Sequence, residues 1–178
     1  MHNAPLLTQL HAVNKGLIKP SALMMFLHHH RPAMSTLTVH LITEPDELQA
    51  CLDIRREVFI DEQGVSEAEE MDGKEDQCGH LLARLDGVPI GTTRLNWQPG
   101  KLKVQRVAVL KPHRGTGAGL AMIKAAIDEA RRRSDIETVV LDSQVSAIGF
   151  YEKLGFVASG PVFLDAGIDH RLMTLALR

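Results

Sequence analysis

Residues 113–133 read HRGTGAGLAMIKAAIDEARRR, three glycines in five positions directly before a helical pattern. Glycine crowding ahead of a helix lets successive backbone N–H groups approach an anion, and the helix adds its positive N-terminal end. Few strand–loop–helix chemistries accept such a loop. A nucleotide triphosphatase loop needs G-x-x-x-x-G-K-[ST], because Lys must reach the terminal phosphates and a hydroxyl must hold magnesium. Leu120 and Ala121 follow Gly119 here, so that chemistry is excluded. A dinucleotide fold needs G-x-G-x-x-G after a first strand, whereas Gly115-x-Gly117-x-Gly119 has another spacing and stands late in the chain. On the loop alone, a glycine-rich turn without a ligand stays open as a reading.

The pattern from Ser35 onward sets the frame. Residues 36–42 (TLTVHLI) alternate as a first strand. TEPDEL predicts a helix start with Thr43 as N-cap and Asp46 at N3, continuing through Leu48, Cys51, Leu52 and Val58 to about Phe59. Residues 61–76 carry eight acidic residues against Lys74 and read as a loop or short irregular helix. Strands are expected at 80–86 and 89–97, joined across the hairpin dipeptide Asp86-Gly87, and at 102–110 after the Pro99-Gly100 turn. The glycine loop opens a helix to about Arg133 with Leu120, Ile123, Ile127 and Ala130 on one face. Residues 138–141 are a buried strand and 146–154 a short helix stopped by Gly155. Residues 162–164 and 170–177 close the domain as an antiparallel pair. The order β-α-β-β-β-α-β-α-β-β predicts an α/β (α+β) fold with a mixed sheet and few helices.

The bulk numbers narrow the class. A chain of 178 residues, 44% hydrophobic and 24% charged, suffices for one domain with a core. A formal charge of −2 supplies no basic field for nucleic acid. Cys51 and Cys78 make neither a disulfide framework nor a metal-ligand spacing, so no metal is expected and a reducing cytoplasm is the simplest compartment. No apolar run approaches the ~20 residues of a membrane helix. Residues 1–34 hold Pro5, Pro20, Pro32 and a His28-His29-His30 triplet without sustained periodicity, and no Asp or Glu occurs before Glu44. A flexible N-terminal extension is therefore expected over 1–34, with one domain over 35–178. The histidine triplet is assigned no function.

Arg114-Gly115-Thr116-Gly117-Ala118-Gly119 also matches R-x-x-G-x-G, and AIGFYEKLGF (residues 147–156) matches A-x-x-F-Y-x-K-x-G-F. Together with the strand VQRVAV (residues 104–109), these resemble the GNAT acetyltransferase superfamily in order and spacing. REVFIDEQG (residues 56–64) and LDAGIDHRLM (residues 164–173) are similar to its small bacterial ElaA-like branch. The resemblance spans about residues 36–178. It implies a mostly antiparallel mixed sheet with a central splayed parallel strand pair flanked by helices, and acetyl-coenzyme A (acetyl-CoA) as co-substrate. The pyrophosphate would lie on Arg114, Gly115, Thr116, Gly117, Ala118 and Gly119. The pantetheine arm would run along the backbone of Val107, Ala108 and Val109, beside Phe150 and Gln144. Gln144 stands where relatives often carry Asn.

Acetyl transfer to an amine needs a neutral amine, a donor for the developing oxyanion and a proton for the departing thiolate. By the resemblance, Tyr151, the one tyrosine in the chain, is the thiolate's acid, and a backbone N–H near Val107 is the oxyanion donor. Many relatives carry a glutamate base on the central strand; Gln105 and Arg106 stand there instead. Glu57, Glu62 and His170 are the substitutes considered for the base or for substrate contact. The resemblance implies a small-molecule or protein amine as acceptor, no nucleic-acid or membrane partner, and is compatible with a homodimer. The acidic run reads either as an attractor for a cationic amine or as a solvated charged loop. The contrasting reading is a non-catalytic acyl-CoA sensor or interaction module, motivated by the missing strand glutamate.

Overall fold

The structure, a computed structural model, describes residues 35–177. The extension expected over 1–34, with its histidine triplet, lies outside the described residues. The order is β1 (Leu37–Leu41), α1 (Pro45–Arg55), a π-helix (Arg56–Glu62), α2 (Glu67–Glu70), β2 (Gly79–Leu85), β3 (Val88–Gln98) and β4 (Gly100–Val109). Then follow α3 (Ala118–Arg131), β5 (Ile136–Gln144), α4 (Ile148–Glu152), β6 (Val157–Asp165) and β7 (Ile168–Ala176). The seven strands form one sheet in the order β1-β2-β3-β4-β5-β7-β6. Among the described residues only β4 and β5 pair in parallel; every other neighbour is antiparallel.

The sheet is covered on both faces. Ile123, Ala126, Ile127 and Ala130 of α3 pack on Leu81, Leu95, Leu102, Val139 and Met173. Full burial of side chains such as Ile123 and Leu95 contributes about 1.5–3 kcal/mol each. Cys51 and Ile54 of α1, with Val58 of the π-helix, cover Leu82 and Ala108 on the other face. Asp86 (φ 52) and Gly87 (φ 83) make the expected tight hairpin turn between β2 and β3.

Several local expectations are corrected. The N-cap is Glu44, not Thr43: Pro45 occupies the first helical turn and holds its predecessor extended, at φ −106 and ψ 145. The helix does not stop near Phe59 but widens into the π-helix, and the Val65 N–H reaches back to the Phe59 carbonyl at 2.9 Å. Leu120 is exposed, and Met122 takes its place on the buried face of α3. The closing pair is longer than expected, joined by Ala166 (φ 47) and Gly167 (φ 76).

The acidic run is loop and short irregular helix, as expected, with most of its carboxylates exposed and Glu70 buried. Ser66 and Glu69 form a reciprocal capping box at the start of α2. Beyond it, carboxylates fold onto buried arginines. Arg55, fully buried, donates from Nε to Glu70 Oε1 (2.5 Å), from Nη2 to the Glu70 carbonyl (2.6 Å) and from Nη1 to Glu75 (2.9 Å). Arg94 of β3, 1% exposed, holds both Asp72 oxygens at 2.6 and 2.9 Å. Hydrogen bonds from that guanidinium hold the Asp72 carboxyl well below the usual carboxylate range.

A depressed folded-state pKa adds stability that is present above the unfolded carboxylate value, near ~3.9, and is lost as pH falls below it. Asp72→Asn should cost about 3 kcal/mol at neutral pH, because Arg94 stays buried without its bidentate partner. Urea titrations between pH 7 and 3 check this: the wild type should lose stability steeply below about pH 4, and the variant less so. Equal slopes would exclude Asp72 as a source of the acid sensitivity.

Candidate active site

The site begins with a break in pairing. β4 and β5 are in register only from Gly100 to Lys103, where Lys103 faces Val140. Beyond that point β5 pairs with β7 as far as Gln144 opposite His170, while β4 follows β3 to Val109 opposite Gly91. The two strands separate because β4 carries a bulge. Ala108 faces Thr92 and Gln105 faces Arg94, so Arg106 and Val107 together oppose Thr93. The extra residue bends the strand. Arg106 is the residue forced to positive φ (53), at a local cost of about 1–2 kcal/mol.

The gap is a slot of about 240 Å³. Val104 to Val107 form one wall and Leu141 to Gln144 the other; Ala147 and Tyr151 also border it. Phe59, Gln63, Val65, Glu69 and Glu70 close the helical side, and Asp165, Ala166, Ile168 and His170 of the β6–β7 hairpin close the opposite end. Neither the bulge nor the helical wall follows from the sequence patterns above. The one available signal was S-x-x-E at Ser66 and Glu69, which marks the helix inside the acidic run.

Tyr151 is 7% exposed and packs edge-to-face with Phe150 and Phe156, at centroid distances of 4.9 and 5.8 Å. Its hydroxyl has no hydrogen-bond partner among the described residues, and burial pushes the phenol up to about 12. The group is therefore a protonated donor at neutral pH that borders the slot. His170 stacks on Phe163 at 6.1 Å. Its Nδ1 lies 2.8 Å from the Ile168 carbonyl, which can only accept, so Nδ1 carries the proton. In the neutral ring this leaves Nε2 with a free lone pair.

The other sequence candidates divide. Gln144 borders the slot and donates to the Gln63 amide oxygen at 3.1 Å. Gln105 also lines it, with its amide oxygen 3.4 Å from an Arg94 nitrogen. Val107 stands on the slot wall, whereas the Ala108 side chain is in the core under α1. Glu57 is exposed on the π-helix and does not border the slot. Glu62 is also absent from the lining: it takes both Nη atoms of Arg114 at 2.6 and 2.7 Å, and hydrogen bonds from that guanidinium hold its carboxyl below the ordinary value.

The glycine loop fits an anion. Gly115 (φ 83) and Gly117 (φ 90) adopt the left-handed conformation, and a β-carbon on either would meet only open space. Gly117 is the N-cap of α3 and offers no side-chain cap. The first-turn N–H groups of a helix have no intrahelical acceptor, so this terminus presents open donors beside Arg114. Gly119 lies against β4 and α4, with Phe150 and Val109 each 3.9 Å from where its β-carbon would stand. The start of α3 thus abuts Val109 at the end of β4, while Val104 to Val107 of the same strand form the slot wall. Among the described residues, no group of three metal-ligating side chains is assembled, and no helix is long and apolar enough to cross a membrane.

Comparison with known proteins places this geometry. The model of the acetyltransferase (GNAT) domain matches residues 42–177. The uncharacterized protein YyaT of Bacillus subtilis is 38% identical over 141 residues, covering 78% of this chain and 95% of its own. The crystal structure of an acyl-CoA N-acyltransferase from Pseudomonas aeruginosa superposes with a TM-score of 0.67 at 30% identity, covering 79% of this chain and 98% of that one. Escherichia coli ElaA shares the fold, with a TM-score of 0.68 at 21% identity over 79% of this chain and 99% of that one.

Proposed function

We propose that this chain, which belongs to the GNAT acetyltransferase family, transfers an acetyl group from acetyl-CoA to a primary amine held in the slot between β4 and β5. The carrying observation is a slot, opened where β4 parts from β5, that is bordered by a protonated phenol and a histidine with a free Nε2, in a chain whose next helix after β4 starts at a glycine-rich terminus with open donors. The domain assigned to this activity is residues 35–178, and 1–34 is an extension outside it. The acceptor is a small-molecule or protein amine.

Acetyl-CoA supplies the thioester whose acetyl group is transferred. The protein's part is to bind, orient and move protons. The N–H groups of Gly115, Thr116, Gly117, Ala118 and Gly119 and the Arg114 guanidinium hold the pyrophosphate. The backbone of Val107, Ala108 and Val109 takes the pantetheine arm, with Phe150 and Gln144 beside it, and the Val107 N–H stabilises charge on the carbonyl oxygen. His170 Nε2 takes a proton from the amine, and the Tyr151 hydroxyl gives one to the departing sulfur. Of the three substitutes for the missing strand glutamate, only His170 borders the slot. Gln105 and Arg106 at the glutamate position favour the second reading, an acyl-CoA sensor without turnover.

Thiol release from acetyl-CoA across an amine library separates the two readings; tight binding without turnover on any amine would establish the sensor. For the transferase, Tyr151→Phe should lower kcat about 10- to 100-fold and His170→Gln about 100-fold, each with acetyl-CoA affinity within twofold of wild type. Unchanged turnover in either variant removes that residue from its role. Glu62 already occupies Arg114, so Glu62→Gln should tighten acetyl-CoA binding about threefold at low salt. Gly117→Glu should abolish that binding, and calorimetric titration of both variants reads the two opposite directions.

A further inference from the structure

The slot's shape depends on a residue that local backbone preference disfavours, and the surroundings of that residue explain how it is held. Arg106 has φ 53 within a strand, where a non-glycine side chain is disfavoured. Its own guanidinium ties it to the helical wall. Nε lies 2.7 Å from Glu70 Oε2, an ion pair whose alignment falls short of a hydrogen bond, and Nη2 donates to the Glu69 carbonyl at 2.9 Å. The Asp72 carboxylate lies 3.8 Å from the same Nη2.

These acceptors are themselves anchored. Glu70 is 2% exposed and is gripped at both side chain and backbone by Arg55 of α1. Asp72 is gripped by Arg94, the β3 residue next to the bulge partner Thr93. The clamp therefore runs from α1 through α2 into the bulge and back to the neighbouring strand. Its members Glu69, Glu70 and Arg106 all border the slot.

We infer that Arg106 is a positioning residue: clamped by Glu70 and the Glu69 carbonyl, it holds the β4 bulge that sets the slot wall and the Val107 N–H for acetyl transfer. This rests on the acetyl-transfer reading of the slot. Arg106 moves no proton and need not touch the acetyl group; it acts through the backbone on either side of it. Removing the clamp leaves the glycine loop and its anion donors in place, so the effect falls on kcat more than on cofactor binding, which also involves the backbone of Val107 to Val109.

The test uses the full chain. Arg106→Gly removes the guanidinium while tolerating the same φ, Glu70→Gln weakens the clamp from the other side, and Arg106→Lys keeps the charge without the paired donors. Amide hydrogen exchange over residues 104–109, acetyl-CoA affinity by calorimetry and thiol release with an accepted amine are measured together. Arg106→Gly should speed exchange and lower kcat at least tenfold, with acetyl-CoA Kd within threefold of wild type. Glu70→Gln should shift exchange and kcat in the same direction with Arg106 intact, and Arg106→Lys should recover part of the loss. Exchange in Glu70→Gln equal to wild type overturns the inference, because glycine alone loosens a backbone. So does kcat within twofold of wild type in Arg106→Gly, or a Kd that rises in parallel with the loss of kcat. If Arg106→Gly fails to fold, Glu70→Gln and Arg106→Lys carry the same comparison. If wild type turns over no amine, acetyl transfer fails as a reading, and the exchange rates alone decide whether the clamp holds the bulge.

Discussion

One extra residue in β4 separates two strands that would otherwise stay about 4.8 Å apart along their whole length. With Arg106 and Val107 opposite Thr93, β4 follows β3, β5 follows β7, and the parallel ladder ends at Lys103 and Val140. Every feature of the site depends on that separation. Without it, Tyr151 would lie beneath a closed sheet, Gln144 would be an ordinary strand residue, and the loop of residues 114–119 would lead nowhere. The fold accommodates a strained backbone in its central strand because the surrounding packing and charge pairs over-determine it.

Those charge pairs also change the meaning of the acidic run. Bringing an arginine out of water costs several kcal/mol unless its charge is matched and its donors are satisfied. Arg55, Arg94 and Arg106 are matched by Glu70, Asp72 and Glu75, all drawn from residues 61–76. Glu62 and Glu67 are taken by Arg114 and Arg56. Five of the eight acidic residues in this stretch are thus matched by arginines, and Asp61, Glu69 and Asp76 remain exposed. Within it, Glu70, Asp72 and Glu75 are the counter-charge that lets three arginines stand between α1, α2 and the sheet.

What could be read from the sequence was whatever depends on short-range chemistry. Gly115 and Gly117 need positive φ, Asp86-Gly87 makes a tight turn, and the spacing of Ile123, Ile127 and Ala130 defines a buried helix face. The motif around Tyr151 marked a residue that the fold does bring to the slot. What could not be read depends on partners distant in the chain. The bulge exists only in the register of β4 against β3. Leu120 is exposed because Met122 fills the space against Gly91, 31 positions upstream, where the methyl carbon would stand 3.0 Å from an added β-carbon. The turn at Ala166 and Gly167 escaped because alanine is seldom the residue that adopts φ 47. Glu62 and His170 were equal candidates in sequence; only the fold pairs one with Arg114 and brings the other to the slot.

The π-helix gives the last connection. Its terminal residue Glu62 and the next residue, Gln63, are adjacent in the chain, yet they reach opposite banks of the splay. Glu62 binds Arg114 beyond the end of β4, and Gln63 binds Gln144 at the end of β5. A regular α-helix turns 100° per residue on 3.6-residue repeats, and the wider turn here changes where those two side chains leave the axis. Gly64, at φ 74, then redirects the chain toward the capping box of α2. One short segment therefore touches the glycine loop, the end of β5 and, through α2, the clamp on the bulge. A ligand that takes up Arg114 or Gln144 competes with a neighbour from this segment for part of their hydrogen bonding. The affinity of the loop end of the slot is for that reason tied to the conformation of the wall that faces the other end.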